Sequence, residues 1–197
     1  MNGTGSYWNE RRVAGLLLVV GFLIPLTLGL RYLPQIPFAS ALFDPRWERN
    51  LLSAGVAGSF FGAAILEGVL RKAGDRIFSR LGLCSYALAT ALWLVVNAIS
   101  LDRGYWVDDL ETYHIFLAYP AVIAFGVGIL RTRLLPSWIG AVAGLWSMVL
   151  FIRVIPGNQG PLLYEPALLL IGVALLIQRG SPSGSPQPES PDQLRSA

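Results

Sequence analysis

A bundle of membrane-crossing α-helices is the fold class this sequence predicts, all-α with about six spans and both termini cytoplasmic. Of its 197 residues, 54% are hydrophobic and only 14% are charged, and the mean hydropathy is +0.55. Apolar stretches about as long as a bilayer is thick recur along the chain, separated by polar or proline-bearing links. Lipid offers no partner to an exposed backbone amide, so such stretches must close their hydrogen bonds internally, as helices.

The first span is expected over Val13–Leu30, where seven leucines, three valines, Ile24 and Phe22 favour insertion. Pro25 interrupts it and predicts a kink, since neighbouring helices can satisfy the carbonyl that proline frees. The second span is placed at Leu52–Leu70, the third at Leu83–Ile99, the fourth at Tyr113–Leu130, the fifth at Pro136–Ile155 and the sixth at Leu162–Ile177. The sixth is short and carries Glu165 near one end, which leaves open a five-span chain with a last segment lying on the surface. These spans form one transmembrane domain, residues 1–179, followed by a tail at 180–197 rich in Ser, Pro and Gly that has nothing to bury and is expected to be disordered.

Lys and Arg counts set the orientation, because basic loops stay in the cytoplasm. Ten basic residues fall on one side and five on the other, and the connection Leu101–Glu111 holds four acids against one base, so it is placed outside. The localisation expected is therefore a plasma (inner) membrane, N-in and C-in. Arg11 and Arg12 ahead of an apolar run, with Ala39-Ser40-Ala41 beyond, imitate a signal peptide, but the run is long for one and five further spans follow. In the long first outer connection, prolines exclude a regular helix through the first half, and a short interfacial helix is expected near Phe38–Phe43.

Several function classes are excluded or unsupported. The net charge is only +3 and the arginines are scattered among apolar segments, so no nucleic-acid partner is expected. Cys84 is the one cysteine and His114 the one histidine, which removes disulfides and Cys- or His-rich metal sites, so no metal or other cofactor is expected. Cys84 is expected to pack. No phosphate-binding glycine loop, His-Glu-x-x-His run or Gly-x-Ser-x-Gly elbow occurs, so no catalytic residue is assigned and an enzyme is the less favoured reading.

The candidate residues are of three kinds. Gly58 and Gly62, with Gly140 and Gly144, form small-x-x-x-small patterns that let helix backbones meet, within this chain in preference to between copies. Arg131, Arg133 and Trp138 flank the opening of the fifth span as interface anchors. Asn97, Tyr113, His114, Arg153, Tyr164 and Glu165 all fall near the outer ends of their spans and form a candidate polar cluster, with an Arg153–Glu165 salt bridge expected. Glu67 is expected to pair with Arg71 at i,i+4. The leading expectation is a bundle binding a small or lipid-like ligand, or a partner protein, at that outer cluster. Transport of a small solute is a second, with Thr27, Ser59, Thr90 and Ser147 as a narrow polar route; a membrane enzyme using His114 and a nearby acid on a lipid or quinone is a third.

Arg131-Thr132-Arg133-Leu134-Leu135-Pro136-Ser137-Trp138-Ile139-Gly140, taken with Arg11-Arg12-Val13-Ala14-Gly15-Leu16-Leu17, resembles a broad class of uncharacterised bacterial membrane proteins with about six spans. That class has an Arg-x-Arg-Leu-x-Pro-x-Trp-like signature before its penultimate span. The resemblance implies fold class alone, and the signature marks a membrane boundary, with arginines at the headgroups and tryptophan at the interface.

Overall fold

A computed structural model describes residues 3–29, 45–103, 108–154 and 165–178. Among these the chain is all-helical: α1 (Gly3–Gly29), α2 (Pro45–Lys72), α3 (Phe78–Arg103), α4 (Asp108–Thr132), α5 (Ser137–Val154) and α6 (Glu165–Ile177). The interfacial helix expected near Phe38–Phe43, the tail at 180–197 and Tyr164 lie outside the described residues. Arg49–Lys72, Phe78–Ser100 and Thr112–Thr132 are long and apolar enough to cross a membrane, while α5 and α6 contribute shorter apolar segments. The outward faces carry large exposed side chains, among them Leu16, Val20 and Leu23 on α1, Leu81 and Leu88 on α3, and Leu145, Val149 and Ile152 on α5. Hydrocarbon on this scale over successive helices is a lipid-facing surface.

The helices run further than the apolar stretches. α1 begins ten residues before Val13 and passes through Pro25 without interruption. α4 likewise holds Pro120 inside it. Near it the hydroxyl of Ser85 on α3 donates to the carbonyl of Leu117, 2.7 Å away, which ties α3 to α4 three residues before the proline.

Each helix packs on the next in sequence and α6 packs on α1, so the six form a closed ring. The turn joining α2 to α3 is built by its own chemistry. Gly74 takes φ +107°, and the amide of Asp75 donates to the Leu70 carbonyl at 3.0 Å, a Schellman closure that only glycine accommodates without strain. Asp75 then caps α3, accepting from the Ser79 amide at 2.6 Å. Arg133 makes the corresponding reversal after α4 with φ 51°, a conformation that costs a non-glycine residue about 1 kcal/mol.

Near this end, called the basic end below, Lys72 pairs with Glu10 at 2.5 Å. Arg11, buried, donates to the Leu134 carbonyl at 3.4 Å and to the Gln178 side-chain carbonyl. These contacts gather α1, α2, the α4–α5 turn and the end of α6. They also explain why α1 extends past its apolar run: its charged turn is part of the packing.

Glycines form the seams. A Cβ on Gly62 would lie 2.9 Å from the Leu18 amide nitrogen, and one on Gly140 2.7 Å from the Gly126 carbonyl. Gly58 has only ordinary contacts, its nearest neighbour being Gly21 Cα at 3.6 Å, and a Cβ on Gly144 would meet nothing within 4 Å. The backbone of Gly144 nevertheless lies beneath Gly126, whose own Cβ would come within 2.9 Å of its nitrogen. The first and last helices close just as tightly, where a Cβ on Gly15 would fall 2.7 Å from the Gly172 carbonyl. Without a hydrophobic drive between helices in lipid, such close backbone approach supplies much of the association.

Adding a methyl at Gly140 should destabilise the protein by about 1–3 kcal/mol, since backbone and not a flexible side chain stands in the way. Gly144→Ala should change stability by less than about 0.5 kcal/mol. Thermal unfolding of the two variants in the same detergent separates these outcomes, and equal losses would contradict the seam.

Candidate functional site

The α3–α4 interface has a clear antiparallel register. A Cβ on Gly82 would lie 3.1 Å from the Ala121 carbonyl, Ser85 meets Leu117, and His114 Nδ1 lies 2.7 Å from the Ala89 carbonyl. A carbonyl only accepts, so Nδ1 carries the proton and donates, leaving Nε2 as the acceptor of the neutral ring. The imidazole is 1% exposed and packs against Trp93 with ring centroids 5.0 Å apart. His114 therefore reaches the middle of α3 and is further from the helix ends than its place near the start of α4 suggests.

Asn97 is buried at a different level. Its Nδ2 donates to Ser53 Oγ on α2 at 2.9 Å, and it stands eight residues beyond Ala89 along α3, about 12 Å of helix rise. Tyr113 does not join either group. It is 59% exposed, because consecutive helical residues diverge by about 100° and the buried face of α4 is taken by His114 and Ile115. Cys84 is likewise exposed and does not pack; the inward face of α3 runs through Tyr86, Ala89, Trp93 and Val96. Arg153 closes α5, with its backbone alone described, and the expected Arg153–Glu165 bridge lies outside the described residues.

Glu165 opens α6 and is 7% exposed. Phe22 and Glu165 each lie seven residues from the Gly15–Gly172 contact in the same direction along the bundle, so the two occupy one level. Gly21, beside Phe22, presses on Ser59 of α2. The Ser53–Asn97 pair, carried six residues along, brings Ser59 level with Thr90 and Ala91 of α3, next to the carbonyl that holds His114. Glu165, Ser59, Thr90 and His114, one each on α6, α2, α3 and α4, thus fall at one level and form a buried polar layer. Sequence reasoning found Glu165 and His114 through their charge and rarity and treated Ser59 and Thr90 only as a route. Their common level depends on register, which no single helix displays.

Several buried polar atoms in this layer and beyond it toward the end opposite the basic one have no hydrogen-bond partner among the described residues: Glu165 Oε2, Thr90 Oγ1, Asn97 Oδ1 and Ser100 Oγ. Each such atom costs about 1–3 kcal/mol when left dry. Toward the basic end the interior is chiefly hydrocarbon, with Leu18, Leu66, Phe125, Ile129, Ile171 and Leu175 all fully buried. At that end Glu67 is buried and faces Arg71 at 3.9 Å, the expected i,i+4 partner. Arg131 lies over the Phe78 ring at 5.2 Å, and Trp138 is 59% exposed, in keeping with boundary positions. No group of three His, Cys, Asp or Glu side chains suited to a metal occurs among the described residues.

No protein family model, curated protein or solved structure matches this chain.

The burial of His114 makes a chemical prediction. Diethyl pyrocarbonate should leave it unmodified in the folded protein and modify it after denaturation, as read by mass spectrometry. Rapid modification of the native state would contradict the closed α3–α4 interface.

Proposed function

We propose that this chain is a six-span protein of the plasma membrane, with both termini cytoplasmic, that binds a small or lipid-like ligand at its polar layer without transforming it. The observation that carries the reading is Glu165, a buried carboxylate with an oxygen unpartnered among the described residues. Thr90 Oγ1 shares its level, and Asn97 Oδ1 and Ser100 Oγ lie beyond it toward the end opposite the basic one. With Glu165 ionised against a cationic headgroup, two of these four atoms only accept hydrogen bonds and the other two, hydroxyl oxygens, can also accept, so the ligand that fits them brings N–H donors. A donor-bearing headgroup entering from that end would meet Asn97 and Ser100 first and Glu165 deepest.

Transport is less favoured, because a solute continuing toward the basic end would meet the packed hydrocarbon of Leu66, Phe125 and Leu175. The enzymatic reading is also less favoured, since His114 Nδ1 is already committed to a main-chain carbonyl.

Phosphatidylethanolamine and phosphatidylcholine with the same two acyl chains test the ligand chemistry, because they share a phosphodiester and lack a free hydroxyl while only the first has N–H donors. Native mass spectrometry of the full chain should show preferential binding of the ethanolamine lipid, abolished by Glu165→Gln. Equal binding of both lipids, or a preference surviving the substitution, would refute the site. For the topology, fluorescent-protein fusions at either terminus should both fluoresce in a bacterial host, whereas a five-span chain would leave one of them dark.

A further inference from the structure

A second feature lies at the opposite end from the polar layer. Around the α2–α3 turn, Arg71, Lys72, Arg76 and Arg80 line an open cleft of about 400 Å³. Two of these cations already face carboxylates, Lys72 with Glu10 and Arg71 with Glu67 at 3.9 Å. Arg76 and Arg80 have no carboxylate partner among the described residues and are exposed. Asp75, the nearest acid in sequence, is buried and turned inward to cap the amides of Phe78 and Ser79. The nearest negative charge is thus held at the helix terminus and does not answer Arg76 or Arg80.

The cleft stands where hydrocarbon meets water. Ile77 and Leu81 are largely exposed, at 60% and 59%. The same face of α3 continues through exposed Cys84, Leu88, Ala91 and Val95. Positions 77, 81, 84, 88, 91 and 95 repeat at helical spacing, so they form one stripe about 27 Å long. An acyl chain extended along this stripe would have its headgroup beside Arg76 and Arg80.

We propose that this cleft binds the headgroup of an anionic phospholipid, a phosphodiester without a compensating ammonium, with its acyl chain along the α3 stripe. A free phosphate would use the arginines and leave the stripe unused. A zwitterionic lipid would bring its ammonium into a cluster of like charges. Guanidinium groups suit the diester because they offer paired donors to two phosphate oxygens, and basic pockets at the ends of membrane helices are where such headgroups are held.

The experiment is native mass spectrometry of the full delipidated chain titrated with phosphatidylglycerol and with phosphatidylcholine of the same acyl chains. The wild type should prefer the anionic lipid by on the order of tenfold or more, and Arg76→Gln with Arg80→Gln should remove that preference. Both residues are exposed, so the double variant should keep the wild-type melting temperature. Lys72→Gln provides a second variant if it does not, with a smaller expected loss, because Lys72 is shared with Glu10. Arg133→Gln, at the same end and outside the cleft, should leave the preference intact. A preference that survives the double substitution, or falls equally with Arg133→Gln, overturns the site in favour of a diffuse basic surface. Competition by millimolar inorganic phosphate overturns it in favour of a soluble anion.

Discussion

The contact between the first and last helices is the constraint on which the rest of the molecule depends. Gly15 and Gly172 bring their backbones so close that neither tolerates a side chain. One and a half turns away, the guanidinium of Arg11 reaches the side chain of Gln178 and the carbonyl of Leu134. Five of the six helix pairs around the ring are joined by sequence neighbours, and chain connectivity alone would bring those together. The pairing of α1 with α6 joins the two ends of the bundle and has no such help. In lipid it must come from backbone proximity and polar contacts, and these are the contacts found there.

Ring closure gives Glu165 its environment. As the first residue of a helix of 13 residues, it would lie open to water or headgroups if α6 rested on the membrane surface. Packed against α1, it is drawn to the level of Phe22 and hence of Ser59, Thr90 and His114. The bundle is then divided along its length. One part has polar groups inside, several with unmet hydrogen-bonding capacity; the other is filled by leucine, isoleucine and phenylalanine and ends in a belt of arginines and lysine. This asymmetry favours a site entered from one end over a path through the bundle.

Much of the fold was legible because span length and apolar content are properties of a single segment. The fifth span, expected at Pro136–Ile155, nearly coincides with α5 at Ser137–Val154, and Glu67 with Arg71 was readable as a pair one turn apart. What escaped were relations between helices. Gly15, Gly21, Gly126 and Gly172 carry approaches at least as close as that of Gly62, yet none of them stands in a small-x-x-x-small pattern, so no single helix marks them. Arg11 read as a topology signal and is also a packing residue. Tyr113 and His114 are neighbours in sequence with opposite fates, and the phase of α4, which decides between them, is hidden when both faces of a helix are apolar. For the same reason Cys84 was expected inside and lies outside.

The closure of the ring is tested most directly by pulsed electron paramagnetic resonance between spin labels at Arg12→Cys on α1 and Ile177→Cys on α6, in a Cys84→Ser background. Both positions are exposed, so the labels should not disturb the seam. With the two helices in contact, their axes are about 8–10 Å apart, and the account predicts a single narrow distribution at short distance in lipid nanodiscs. A broad distribution extending beyond about 35 Å, the breadth of several helices, would mean that α6 lies apart from α1, and the buried polar layer would not exist.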